Sequence, residues 1–239
     1  MDYYRKIAII VGVLFIIYTS VDILSFLFTG PVTATPVTAT NYLVSVSENR
    51  GLVGTGALLL FIGGACASGI AISLYPVLKK FNAGLALGAV GFRISEGVLR
   101  FVAVCAMLSI ITLSQQFVKA GAPDSSYFQA LGELLRAGRD LVNHVAMILA
   151  QSLGGLMFYY IFYQAKLVPR WLSGWGFAGA TLTILASFLV MFHLIGIITP
   201  IYIVLNLPVA LQEMVLAVWL IVKGFNPSAF AFETSKTAY

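Results

Sequence analysis

Six long apolar segments divide this chain of 239 residues, and they constrain its fold more than any other feature. Each segment reaches the ~20 residues that a helix needs to cross ~30 Å of hydrocarbon. Lipid offers no hydrogen-bond partner to open backbone groups, so each crossing segment is predicted to be α-helical. The predicted spans are residues 7–28, 52–75, 84–113, 141–165, 173–198 and 201–222. The fold class is therefore all-α, a six-span transmembrane helix bundle.

The composition agrees with a chain that lives in lipid. Hydrophobic residues make up 60% of the chain and charged residues only 10%, whereas soluble domains hold about 25% charged residues. Residues 1–225 are predicted to form a single transmembrane helical domain, with residues 226–239 as a cytoplasmic tail. The expected partner is the lipid bilayer. No basic stripe with interleaved aromatic residues is present, so the sequence predicts no nucleic-acid partner.

The positive charges lie mainly on one side of the predicted spans. The N-terminus, the second-to-third and fourth-to-fifth connections and the tail carry Arg5, Lys6, Lys79, Lys80, Lys166, Arg170, Lys223 and Lys236. The alternate connections carry four cations, which four acidic residues balance. The positive-inside rule therefore predicts a cell-membrane protein whose N-terminus and C-terminus are both cytoplasmic. An even number of spans also requires the two termini to share a side.

Two of the connections predicted to lie outside have recognisable features. The first contains the tandem repeat PVTAT at 31–35 and 36–40, whose composition is typical of an extended spacer. The second, residues 119–140, has helical spacing of its apolar residues and predicts a short amphipathic outer helix that continues into the fourth span. Such a helix is either an interfacial anchor or a lid over a cavity.

The third span contains the most informative polar residues. Arg93, Glu96 and Arg100 have the spacing i, i+3, i+7, which places all three on one helix face. An ionisable group in hydrocarbon costs ~2.5–3.5 kcal/mol on insertion scales, so each is expected to face a partner or a water-filled cavity. We predict that Glu96 pairs with one or both arginines. The trio is net positive, and Glu213 in the sixth span is the predicted source of another anion.

This cluster supports two hypotheses. It is either a closed salt-bridge network that fixes helix register, or a pocket for a small polar or anionic molecule that a free arginine grips in bidentate fashion. The predicted ligand-binding residues are Arg93, Glu96, Arg100, Gln151, Gln212 and Glu213. In the second hypothesis these residues border a mid-membrane cavity of a binding or transport protein. Six spans are few for a transporter, so a homodimer is expected in that case.

A second polar group gives the alternative function. By depth alone, Asp22, His144 and His193 are able to meet near the outer face, where two histidines and an aspartate are suitable ligands for a transition metal or, through the histidines, a haem. This alternative makes the chain an intramembrane enzyme or redox protein. No HxxxH, HExxH, CxxCH or GxSxG spacing supports it, and the sequence assigns no cofactor. A structural or sensory membrane partner is the third interpretation.

Three segments resemble a known family. They are YPVLKKFNAGLALGAVGFRISE at 75–96, LVPRWLSGWG at 167–176 and LQEMVLAVWLIVKGF at 211–225. On these segments the chain resembles the prokaryotic membrane proteins of domain-of-unknown-function family 4386. The resemblance implies a multi-pass membrane protein but no particular activity. The positions that match its motifs include Arg93, Glu96, Pro169, Arg170, Trp171, Gln212 and Glu213.

Single-cysteine labelling tests the predicted topology. In a variant that lacks Cys66 and Cys105, Thr38→Cys is expected to react with a membrane-impermeant reagent from the outside, because the positive-inside rule places the PVTAT connection there. Labelling of residue 38 from the cytoplasmic side only contradicts the topology.

Overall fold

The computed structural model describes residues 3–33, 41–122 and 126–230, and within these ranges the chain is helical and contains no strand. The helices are α1 (Tyr3–Phe28), α2 (Gly30–Thr33), α3 (Tyr42–Glu48), α4 (Arg50–Leu78), α5 (Ala83–Lys119), α6 (Ser126–Leu141), α7 (Met147–Ala165), α8 (Arg170–Met191) and α9 (Pro200–Val222). A π-helical turn, Val142–Ala146, joins α6 to α7. Six continuous helices in the described ranges are long and apolar enough to cross a membrane, which confirms the predicted span count.

The six long helices form a closed ring. Each packs against the next in chain order, from α1 through α4, α5, α7 and α8 to α9, and α9 returns to α1. Arg5 fixes this closure, since its guanidinium donates to the carbonyl oxygens of Leu220, Ile221 and Val222 at 3.3, 2.6 and 3.1 Å. A cation at a helix C-terminus satisfies carbonyls that have no partner within the helix. The end of the bundle where α1 begins and α9 ends is called the terminal end here, and the opposite end the distal end.

Large apolar side chains cover the outside of the ring. Leu58, Leu87, Phe188 and Val218, on four different helices, are each at least two-fifths exposed. A continuous apolar surface of this kind is stable in hydrocarbon and unfavourable in water. The helices therefore present lipid-facing side chains outward and reserve their small and polar residues for the inside.

Close packing between α4 and α5 depends on glycine. A Cβ atom at Gly97 would lie 2.8 Å from the carbonyl oxygen of Gly64 and 2.7 Å from Ser68 Oγ. Membrane helices approach one another this closely where small residues meet. The contact sets the position of the α5 face that carries the charged trio, because Gly97 lies between Glu96 and Arg100 in the sequence.

α5 is much longer than a membrane crossing requires. Its 37 residues correspond to a length of about 55 Å, and its distal part is covered by α3 and α6. Phe117 and Phe128 meet there with their ring centroids 5.4 Å apart, and Leu131 and Leu135 pack on the same cluster. The excess length of the third span is thus a protruding end. The predicted amphipathic helix is α6, which runs on into the fourth span and packs against this end.

The fifth span is shorter than predicted. The apolar pattern indicated 173–198, but α8 ends at Met191, and His193 adopts a left-handed conformation with φ of 56°. The amides of Leu194 and Ile195 bond back to the carbonyl of Leu189, which closes the helix end. The residues that follow are also apolar but are not helical, so the hydropathy pattern placed the end of the fifth span too late. Most of the PVTAT repeat, residues 34–40, lies outside the described residues.

Gly97→Ala tests the contact between α4 and α5. The added Cβ meets backbone at Gly64, which cannot move aside as a flexible side chain does, so we expect a loss of about 1–3 kcal/mol of stability. The measurement is thermal unfolding of the purified protein in lipid nanodiscs.

Gly91→Ala is the matched control, because a Cβ at Gly91 of the same helix meets no atom within 4 Å. It is expected to leave the unfolding temperature unchanged or to raise it. Equal destabilisation by the two substitutions contradicts the proposed contact.

Candidate functional site

Three ionisable side chains of α5 form the centre of a buried polar network. Arg93, Glu96 and Arg100 are 0%, 0% and 1% exposed. Arg93 Nη1 lies 2.9 Å from Glu96 Oε2, and Arg100 Nη2 lies 3.2 Å from Glu96 Oε1. The shared helix face and the ion pairs of Glu96 are therefore confirmed.

α1 supplies the other half of this network. Asp22 accepts hydrogen bonds from Arg100 Nη1 and Nη2, at 2.5 and 3.0 Å, in a bidentate arrangement. Tyr18 Oη accepts from Arg100 Nη2 at 2.5 Å and donates to Glu96 Oε1 at 2.8 Å. The guanidinium carbons of Arg93 and Arg100 also lie 5.2 and 4.6 Å from the Tyr18 ring centroid. The anion that pairs with the trio is thus Asp22 and not, as the sequence suggested, Glu213.

A glycine of α4 makes room for this pairing. A Cβ at Gly63 would lie 3.0 Å from Asp22 Oδ1 and 3.1 Å from Arg100 Nη1. Because Gly63 has no side chain, α1 and α5 exchange hydrogen bonds across the face of α4. The sequence signal for Tyr18 and Asp22 was their i, i+4 spacing, which places both on one face of α1.

Arg93 uses its donors differently from Arg100. Its 2.9 Å contact with Glu96 is an ion pair without hydrogen-bond alignment, and none of its guanidinium nitrogens has an aligned acceptor in the described part of the chain. Glu213 on α9 lies within electrostatic range of Arg93 but forms no ion pair with any described residue. The centre of the bundle therefore holds hydrogen-bonding capacity that the protein itself does not satisfy.

Gln212 belongs to a different contact from the one predicted. Its Oε1 accepts from Tyr159 Oη at 2.6 Å, and its Nε2 donates to the Leu172 carbonyl at 3.1 Å. These bonds join α7, α8 and α9 through a side chain that is 0% exposed. Both ends of the amide are occupied by protein atoms, so Gln212 has the position of a structural contact.

A cavity of about 450 Å³ lies beside the network in the distal half of the ring. Its wall includes residues of α1, α4, α5, α7, α8 and α9 and of the π-helical turn. Of the predicted ligand-binding residues, Arg100, Gln151 and Glu213 line it, whereas Arg93, Glu96 and Gln212 are not among its lining residues. Neither Gln151 nor Glu213 makes a hydrogen bond or ion pair within the described chain.

The cavity reaches the outside of the bundle between α1 and α9. Ile23 and Phe26 of α1 and Ile203 and Leu207 of α9 line it, and each is about half exposed. The same two helices touch near the terminal end, where the region around Gly12 meets Ala217 and Ile221. The polar wall is therefore accessible from the lipid-facing side past apolar residues.

The predicted metal or haem group is not assembled. Asp22 and His144 both line the cavity, but Asp22 pairs with Arg100, and His144 Nδ1 lies 2.9 Å from Tyr202 Oη. His193 is exposed in the turn that ends α8. Within residues 3–33, 41–122 and 126–230, no three His, Cys, Asp or Glu side chains form a group that could hold a metal ion. The prediction from depth was right that Asp22 and His144 lie at the same cavity. The Asp22 carboxylate is hydrogen-bonded to Arg100, however, and does not pair with a histidine.

The comparisons with known proteins identify a family. Residues 10–224, most of the chain, match the family described as Domain of unknown function (DUF4386). The chain belongs to the DUF4386 family. The resemblance drawn from its three sequence segments is thus confirmed, and with the six apolar helices it makes the chain a multi-pass membrane protein. No curated protein and no solved structure matches the chain.

Asp22→Asn tests the ion pairs between α1 and α5. The change leaves Arg100 buried beside a neutral amide, and breaking a buried pair costs roughly 3–5 kcal/mol. The Asp22 side chain is 32% exposed, so we expect the lower end of that range. Arg100→Gln in the same protein should recover part of the loss, because the cost lies in the unpaired charge. Thermal unfolding of the single and double variants in nanodiscs measures both effects.

Glu213→Gln is the matched control for this cycle. It makes the same chemical change at a buried carboxyl with no ion-pair partner in the described chain, so a stability change below about 1 kcal/mol is expected. Strict additivity of Asp22→Asn and Arg100→Gln, or an equal loss in Glu213→Gln, contradicts the assignment of the pairs.

Proposed function

We propose that this DUF4386 protein binds a small amphipathic molecule in the mid-membrane cavity, as a binding or transport protein. The observation that carries the proposal is the pair Gln151 and Glu213, which line the cavity without a protein partner. Glu213 is buried and Gln151 is half-buried, and holding a carboxyl or an amide away from water with no hydrogen bond costs several kcal/mol, up to roughly 2–7 for a fully buried amide. Hydrogen bonds to a bound ligand, or to water that a ligand later displaces, offset this cost. The volume of about 450 Å³ lies in the ~300–1,000 Å³ range of small-molecule sites.

The charges around the cavity favour a neutral or cationic polar group in the ligand. Every donor nitrogen of the Arg100 guanidinium already bonds to Glu96, Asp22 or Tyr18. Arg139, at the distal side of the cavity, pairs with Asp140 at 2.6 Å through Nη1, which leaves its buried Nε as a donor with no partner in the described chain. The charged groups on the wall that retain acceptor capacity are the carboxyls of Asp22 and Glu213. An anionic ligand, which the sequence alone left open, finds less support in this arrangement.

The apolar half of the wall supports an apolar part in the ligand. Ile23, Phe26, Ile203 and Leu207 line the opening between α1 and α9, where a molecule that enters from the bilayer passes first. A ligand with one polar end and a short apolar chain matches both surfaces.

Two irregularities in the helices support movement around the site. The π-helical turn Val142–Ala146 places Asn143 and His144 on the cavity wall, and Pro208 lies inside the continuous helix α9 beside the lining residue Val209. Proline inside a helix removes a hydrogen bond, and π-helical turns are frequent at functional sites. The predicted homodimer remains a prediction.

The test uses three probes that each contain ten carbon atoms in an unbranched chain and differ in the polar end: decylamine, decanol and decanoate. A ligand that binds only the folded state raises stability by ~2.7 kcal/mol at a hundredfold excess over its Kd. We expect decylamine and decanol to raise the unfolding temperature of the protein in nanodiscs and decanoate not to do so. Glu213→Gln should reduce the effect of decylamine selectively, and Gln151→Leu should reduce both effects.

Leu211→Ala is the control, because Leu211 neighbours the site in sequence but is half exposed on the outer face of α9. It should keep both temperature shifts. If the three probes act alike, or if Gln151→Leu responds as the unmodified protein does, the binding function is refuted and the polar residues are a structural brace.

A further inference from the structure

A second cavity, of about 500 Å³, lies at the terminal end of the bundle and shares no lining residue with the first. Two turns form it: residues 166–170 between α7 and α8, and residues 223–227 after α9, with Trp219 beside them. This cavity is called the terminal pocket here. It has no part in the proposed function.

The charge of the terminal pocket is uniformly positive. Lys166, Arg170 and Lys223 line it, and none of its lining residues is acidic. No ion pair joins these three cations to an acidic residue in the described chain, although the Arg170 guanidinium lies 5.2 Å from the Tyr163 ring centroid. Three like charges on one concave surface repel one another, so an anion bound among them lowers the electrostatic energy of the folded protein.

The terminal pocket is held in shape by the protein. The Asn226 amide N–H donates to the Leu167 carbonyl at 2.9 Å, and Asn226 Nδ2 donates to the Lys166 carbonyl at 3.2 Å. Leu167 and Val168, between two of the cations, are 0% and 2% exposed in the main core. The two cation-bearing turns therefore keep a fixed spacing, which lowers the entropic cost of binding one ligand with both.

Apolar side chains adjoin the pocket on the lipid-facing side. Trp219 is part of its wall, and Val222 and Trp171, next to pocket residues in the sequence, are 61% and 57% exposed. Tryptophan is enriched where helices leave the hydrocarbon for the headgroup layer. A ligand with an anionic head and acyl chains meets cations and apolar surface at the same place, whereas a soluble anion meets only the cations.

We propose that the terminal pocket binds the phosphate headgroup of an anionic membrane phospholipid. Lys166, Arg170 and Lys223 contact the phosphate, and the acyl chains lie along the exposed surface near Trp219 and Val222. Basic pockets between transmembrane helices bind anionic lipids through this chemistry.

Native mass spectrometry of the full chain tests the proposal, with phosphatidylglycerol and phosphatidylcholine of identical acyl chains as probes. We expect phosphatidylglycerol to be retained preferentially. Each lysine or arginine removed near a membrane surface lowers anionic-lipid affinity by about fivefold. Lys223→Gln, at an exposed position, should therefore weaken phosphatidylglycerol binding about fivefold, and Lys166→Gln with Arg170→Gln and Lys223→Gln considerably more.

Two variants separate the pocket from general surface charge. Lys6→Gln with Lys79→Gln and Lys80→Gln removes the same charge from the same end of the bundle and should keep the binding, as should the charge-preserving pair Lys166→Arg and Lys223→Arg. Equal loss in the first variant, or loss in the second, overturns the proposal. Displacement of phosphatidylglycerol by millimolar inorganic phosphate alone also overturns it, because the pocket is then a site for free phosphate.

Discussion

The arrangement of the bundle depends on the pairing of charges between α1 and α5. A charge that enters hydrocarbon alone costs about 2.5–3.5 kcal/mol on insertion scales, so Arg93, Glu96 and Arg100 are tolerated only in contact with their counter-ions. Glu96 lies between the two arginines, and Asp22 grips the second of them in bidentate fashion. Loss of one contact leaves the other charges without a partner in the bundle. The pairing therefore requires one rotation of α1 about its axis, and it requires the space that Gly63 leaves beside Asp22 and Arg100.

The network is closed on one side and incomplete on the other. Toward α1, Tyr18 and Asp22 accept hydrogen bonds from both terminal nitrogens of Arg100, and Glu96 accepts from its Nε. Toward α7 and α9, the wall formed by Gln151 and Glu213 has no protein partner in the described chain. A salt-bridge network and the proposed polar binding surface are thus neighbours in one bundle and share Arg100 and Asp22. The network holds the Asp22 carboxyl on the cavity wall at a fixed position, as a preorganised site requires.

Cations serve two different purposes in this chain. Those in the middle of the bundle, Arg93 and Arg100, are paired with Glu96 of the same helix, and Arg100 also with Asp22 of α1, because an uncompensated charge costs more free energy in a low-dielectric interior. Lys166, Arg170 and Lys223, at the terminal end, have no acid partner in the described residues and line a concave surface at the end of the bundle. Arg5 differs from both groups, because its guanidinium donates hydrogen bonds to the last carbonyls of α9 and so joins α1 to α9. Burial within the bundle separates the two groups, since Arg93 and Arg100 are at most 1% exposed.

Local composition determined the spans, their helical state, the amphipathic α6 and the clustering of the charged trio, because hydropathy and helical spacing act within one segment. Local composition did not predict where α8 ends, because apolar residues continue past the turn at His193. Only the tertiary structure decided which acid meets Arg100, because the answer depends on how each helix is rotated about its axis. That rotation is set by contacts such as Gly63 against Asp22 and Gly97 against Gly64, between residues distant in sequence. It paired Asp22 with Arg100 and occupied both ends of Gln212. It also decided that Gln151 and Glu213, but not Arg93 or Glu96, line the cavity that the polar residues of the sequence had predicted.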